Sequence, residues 1–151
     1  MEAIEFRGSR FSASNNIVKK PVSKPWKILI IDDDEWVAET TSLVLGGLVF
    51  EDRPIELMSA EEGKKLIQKN PDAAAILLDV IMETDDAGLK IVDFIRNDLE
   101  LTNVRILLRT GQARQFSESE IFERCDINAF IEKADMTSRL LTTTLKSALR
   151  S

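Results

Sequence analysis

Short apolar runs that stop abruptly at polar residues set the rhythm of this chain. Trp26 to Ile31 (WKILII), Ile76 to Leu78 running into Asp79, Val104 to Leu108 and Ala129 to Ile131 are such runs. A continuous apolar run bounded by turn signals is the pattern of a strand buried on both faces. Pro54 opens a further short strand, Ile55 to Met58, after an irregular connection from Leu48. Between these runs the period changes. Val37, Val44, Leu45 and Leu48 recur at helical spacing, with Gly46-Gly47 loosening the helix end. Ser59 and Glu62 have capping-box spacing for a helix from about Ala60 to Lys69, which Asn70-Pro71-Asp72 ends. Leu89, Val92, Ile95 and Leu99 mark a third helix after Gly88. Ser117 with Glu120 opens a fourth, which carries Ile121, Phe122 and Cys125. Leu141, Leu145 and Leu149 define the last, from about Thr137 to Arg150.

Strands and helices thus alternate through five βα units, the pattern of an α/β fold in which a parallel sheet carries helices on both faces. Right-handed crossovers leave few topologies. The common order for five strands is 2-1-3-4-5, a doubly wound sheet that binds ligands outside the carboxyl ends of strands one and three. Residues 26–151 form the expected folded domain. Residues 1–25 hold Arg7, Arg10, Lys19, Lys20 and Lys24 among Ser and Asn, end in Pro21 and Pro25, and have little to bury. They read as a flexible leader.

Composition narrows the chemistry. The 151 residues are 44% hydrophobic, enough for one domain with a real core. A net charge of −6 argues against direct nucleic-acid binding, which needs a cationic face. With a single cysteine, Cys125, there is no internal disulfide, and with no histidine there is neither a His metal site nor a His base. Oxygen chemistry remains. No apolar run approaches a membrane span and the N-terminus lacks a signal-peptide core, so a cytoplasmic location is expected.

The strand exits are where that chemistry collects. Strand one ends at Asp32-Asp33-Asp34 and strand three at Asp79, so in the 2-1-3-4-5 order Asp32, Asp33 and Asp79 meet at one crevice. Carboxylates that close are mostly ionised at neutral pH and repel, so they call for a cation; Mg²⁺, which keeps its waters and couples to phosphate, suits them better than a Ca²⁺ cage. Thr110 and Lys133, at the exits of strands four and five, add a hydroxyl and an ammonium, the surroundings a phosphoryl group requires. Each residue also has a bland reading. Asp34 fits a helix N-cap, Thr110 a turn before Gly111, Lys133 a surface lysine, Phe130 ordinary core, and Asp85 and Asp86 solvated turn positions.

On the acids after ILII, the aspartate after AILL, the threonine after ILLR and the lysine after AFIE, the stretch from Trp26 to Arg150 resembles the CheY-like receiver domain of response regulators. The resemblance implies that Asp79 accepts a phosphoryl group from a histidine kinase or histidine phosphotransfer protein. It implies that Asp32, Asp33, Asp79 and the backbone carbonyl of Ile81 hold Mg²⁺, that Thr110 and Lys133 bind the phosphoryl group, and that Phe130 is an aromatic switch. It implies no turnover substrate, and a homodimer or output contact through the face of the fourth helix, fifth strand and fifth helix. The pattern departs from the family at Glu83 and Ala134, where receivers usually carry proline, and in a longer loop from Asp79 to Gly88. LLDVIMETDDAGL and LRTGQ are similar to the subfamily in which a receiver precedes a domain of unknown function and a cyclic-di-GMP enzyme, often of HD-GYP type. That similarity implies an output domain beyond this chain.

Three alternatives stay open on the residues alone. A haloacid-dehalogenase-like phosphatase would use Asp32 and Asp34 and leave Asp79 without a task. A flavodoxin-like binder would need donors where strand one offers carboxylates. A pseudo-receiver would mediate contacts without phosphorylation.

Overall fold

The computed structural model describes residues 24–60, 62–79, 87–111, 121–123, 125–133 and 137–150. Its elements in chain order are β1 (Trp26–Ile31), α1 (Glu35–Leu45), β2 (Val49–Phe50), β3 (Arg53–Ala60), α2 (Gly63–Lys69), β4 (Ala75–Asp79), α3 (Ala87–Asp93), a π turn (Phe94–Asp98), β5 (Arg105–Thr110), β6 (Ala129–Glu132) and a C-terminal helix α4 (Ser138–Arg150). Of the expected leader only Lys24 and Pro25 fall among the described residues, and the fourth expected helix lies largely outside them.

Among the described residues the sheet has six strands, in the order β2-β3-β1-β4-β5-β6, where the sequence predicted five. All pairings from β3 to β6 are parallel, with β1 between β3 and β4. The additional strand is β2, which pairs antiparallel with the start of β3 through Val49 and Phe50. Leu48 to Pro54 is therefore a hairpin and not an irregular connection. Its two-residue loop, Glu51-Asp52, has φ of 52° and 61° at the two positions, the left-handed pair that a type I′ hairpin turn demands. The Trp26 indole Nε1 donates to the Phe50 carbonyl at 2.8 Å and ties the hairpin to β1.

Both faces of the sheet are covered, which is why the strands read as continuous apolar runs. On one face Leu29, Ile31, Ile76, Leu78, Ile106 and Leu108 pack with Ile67 of α2 and Ile91, Val92 and Ile95 of the α3 segment. On the other, Ile28, Ile30, Leu77 and Leu107 pack with Leu45 of α1 and Leu141, Leu145 and Leu149 of α4. Each of these side chains stabilises the fold by roughly 1.5–3 kcal/mol on burial.

Two expected boundaries shift. The capping box predicted from Ser59 and Glu62 does not form, because β3 stays paired with β1 through Ser59 and Ala60. Helix α2 starts only at Gly63, with Glu62 as an N-cap that makes no side-chain hydrogen bond. The α3 helix widens into the π turn, where the Leu99 N–H donates to Phe94 O at 2.9 Å.

Candidate functional site

Strand register assembles the site. Ile31 is level with Leu78, so Asp32, one residue past β1, comes beside Asp79 at the end of β4. Asp79 is level with Arg109, which brings Thr110 to the same rim, and Thr110 is level with Glu132, which brings Lys133 there. Because every parallel strand ends at this edge, four separate exits become neighbours.

One carboxylate oxygen each from Asp32, Asp33 and Asp79 lies within 4.8 Å of the others. Asp32 and Asp79 are buried and Asp33 is exposed. Asp32 Oδ1 accepts the Asp34 N–H at 2.9 Å, which fixes the carboxylate at the start of the turn. Lys133 Nζ stands 3.0 Å from Asp79 Oδ2 and 3.2 Å from Asp32 Oδ2, bridging the two buried acids. Thr110 is buried at the rim. Phe130 is half-buried on the α2–α3 face, level with Leu108 and hence on the same face as Thr110. The Ile81 carbonyl, Glu83, Asp85, Asp86 and Ala134 lie outside the described residues.

Asp34 takes the role its bland reading gave it. Its Oδ1 accepts the Trp36 and Val37 N–H groups at 3.0 and 3.3 Å as the N-cap of α1. That commitment weighs against a phosphatase in which Asp34 works as an acid.

Sequence reasoning gave no role to Arg109. Its side chain is wholly buried, with Nη1 donating to Thr41 Oγ1 at 2.6 Å and Nη2 3.6 Å from Asp32 Oδ2. Burial lowers the guanidinium pKa from the usual arginine range, and the Asp32 and Asp79 carboxylates push it back up. The available signal was an arginine inside an otherwise apolar strand run, a placement that requires a buried counter-charge.

The residues fit a hard divalent cation. Asp32 Oδ2 is fully buried and accepts no hydrogen bond among the described residues, although Lys133 and Arg109 approach it as ion-pair partners, so a metal would share this oxygen with them. Three acceptor-only carboxylates against Lys133 and Arg109 leave one negative charge over, and oxygen donors suit Mg²⁺.

This sheet, with acids at the exits of its two central strands and a lysine reaching across from the edge, defines a CheY-like receiver fold. A structure described as a "putative response regulator" from Chloroflexus aurantiacus superposes with a TM-score of 0.67 at 27% identity, over 84% of this chain and 99% of that one. The CheY-like receiver domain from Methanospirillum hungatei gives 0.63 at 22% identity, over 83% and 94%. Vibrio cholerae chemotaxis protein CheY4 gives 0.65 at 21%, over 82% and 98%. In sequence, the chain is 41% identical over 131 residues to the 3′3′-cGAMP-specific phosphodiesterase 2 of Vibrio cholerae, covering 85% of this chain. The chain spans 25% of the length of that curated relative. No family model matches the chain. The chain has the CheY-like receiver-domain fold. No helix among the described residues is long and apolar enough to cross a membrane.

Proposed function

We propose that this chain is the phospho-accepting switch of a two-component system, with Asp79 as the acceptor and residues 26–151 as the working domain. The observation that carries this reading is the buried Asp79 carboxylate held 3.0 Å from Lys133, beside Asp32 and Asp33 at one sheet edge. An Asp79 carboxylate oxygen attacks the phosphorus of a phosphohistidine on a kinase or phosphotransfer protein. A P–O bond forms, the P–N bond breaks, and the histidine nitrogen leaves with the bonding pair. Asp32, Asp33, Asp79 and the Ile81 carbonyl would hold Mg²⁺, whose charge offsets the repulsion between carboxylate and incoming phosphoryl oxygens. Lys133 pairs with the transferred group, and the Thr110 hydroxyl donates to one of its oxygens.

Thr110 and Phe130 share one face of the β5–β6 pair, so movement of the hydroxyl toward the phosphoryl group opens space into which Phe130 turns. That turn biases the surface around β6 and α4, the expected face for a homodimer or an output contact. The likeness to a 3′3′-cGAMP-specific phosphodiesterase supports a regulator whose output domain acts on a cyclic dinucleotide. In this reading the receiver works in the cytoplasm and turns over no substrate of its own.

Intact-mass measurement with acetyl phosphate and Mg²⁺ tests the reading. One phosphoryl group should add per chain, EDTA should prevent it, and Asp79→Asn should abolish it. Absence of labelling in the presence of Mg²⁺ would instead support a non-phosphorylated interaction module, and turnover of p-nitrophenyl phosphate a phosphatase.

A further inference from the structure

Arg109 occupies a position that the phosphoryl-transfer reading leaves unused. It stands level with Asp79 on β5, and its side chain leaves the sheet on the face opposite Thr110, toward α1. The Thr41 hydroxyl gives its one hydrogen to Val37 O at 2.8 Å, so toward Arg109 it acts as the acceptor, at 2.6 Å. The second guanidinium nitrogen faces Asp32 Oδ2 at 3.6 Å, while Lys133 approaches the same oxygen at 3.2 Å. Asp32 Oδ2 is thus held between two cations from different strands, one of them wholly buried and anchored to a helix.

From this geometry we infer that Arg109 is a built-in counter-cation of the acidic pocket, a positioning residue that competes with Mg²⁺ for Asp32 and sets the metal affinity low. The inference rests on the metal-binding reading proposed above. A guanidinium stays charged at any working pH and, with Thr41 holding one arm, cannot swing away when a divalent ion arrives. Its positive charge stabilises the metal-free pocket and repels the incoming ion, and both effects weaken binding. Removing the charge therefore tightens Mg²⁺ binding, where loss of a purely structural side chain would leave it unchanged or weaken it. About tenfold is the expected size, the least that a unit charge several ångströms away imposes on a divalent ion even when the dielectric is close to that of water.

Titration calorimetry with MgCl₂ on the full chain tests this, with folding of each variant checked by circular dichroism. Arg109→Met should bind Mg²⁺ about tenfold more tightly than the unaltered chain, and Arg109→Lys, which keeps the charge, should stay within about threefold of it. Arg109→Gln retains a donor for Thr41 without the charge and should match Arg109→Met, which gives a second reading if the methionine variant does not fold. Folding of the neutral variants only when Mg²⁺ is present would also support the inference. Unchanged or weaker Mg²⁺ binding in the neutral variants, or failure to fold with or without Mg²⁺, would overturn it and leave the phosphoryl-transfer reading standing. Failure of the unaltered chain to bind Mg²⁺ would overturn both.

Discussion

Lys133→Met separates the electrostatics of the pocket from its packing. The ammonium lies 3.0 Å from Asp79 Oδ2 and 3.2 Å from Asp32 Oδ2. At an effective dielectric constant of about 20, each contact is worth roughly 5 kcal/mol of gross attraction. Much of that is offset by the cost of bringing the ammonium out of water, and breaking a fully buried pair costs about 3–5 kcal/mol. Lys133 keeps 23% of its side chain exposed, and Arg109 still faces Asp32 after the substitution, so the expected loss is about 2–3 kcal/mol. For a domain of this size that lowers the melting temperature by about 5–10 °C. A divalent ion can replace the missing charge, so saturating Mg²⁺ should restore most of the loss and should raise the melting temperature of the variant more than that of the unaltered chain. Thermal melting by circular dichroism, in EDTA and in MgCl₂, reads both effects. A variant melting within about 2 °C of the unaltered chain in EDTA, or an equal Mg²⁺ response in the two proteins, would show that Lys133 does not balance these carboxylates.

Three further perturbations reach other parts of the structure. A Cβ at Gly63 would meet Ile31 Cγ2 at 2.8 Å, directly before Asp32, so Gly63→Ala should lose about 1–2 kcal/mol in urea titration despite its better helix propensity, and should weaken Mg²⁺ binding. The paired change Glu51→Asn with Asp52→Gly, at two left-handed positions, should raise stability by about 1 kcal/mol and leave Mg²⁺ affinity unchanged; a drop in stability would contradict the hairpin. The hydrogen bond from Lys27 holds the Asp72 carboxyl below its usual range. A depressed folded pKa contributes stability that is complete above the unfolded value and is lost as pH falls through the folded one. Lys27→Met should therefore raise the Asp72 titration midpoint seen by NMR, and should cost under about 1 kcal/mol at pH 7 because solvent screens this exposed pair.

The elements readable from the sequence were those with a long enough pattern. β1, β4 and β5 are buried on both faces along most of their length, so apolar residues dominate them and their ends can be located to within about two residues. The hairpin strand β2 is two residues long and shows no period, and its turn uses Glu51 and Asp52 where Asn-Gly would have signalled it. Ser59 and Glu62 offered a local helix start that pairing with β1 overrode, because keeping Ser59 and Ala60 in the parallel ladder satisfies backbone groups that a cap would have left to solvent.

The same distinction explains which site residues were found. Asp32 and Asp79 directly follow an apolar run, Thr110 and Lys133 follow one after a single charged residue, and a parallel sheet turns that one-dimensional fact into proximity by ending its strands along one edge. Arg109 obeys a different geometry. It lies within β5, one residue before the exit, and its partners Asp32 and Thr41 belong to a strand end and a helix well over sixty residues earlier. Only the register of β5 against β4, together with the seating of α1 on the sheet face opposite Thr110, determines that a guanidinium at this position reaches the acidic pocket from beneath. One residue further along, the alternation of the strand would have turned it to the other face, away from Thr41. The charge balance of the pocket therefore depends on the parity of a single strand position as much as on the acids that mark the site.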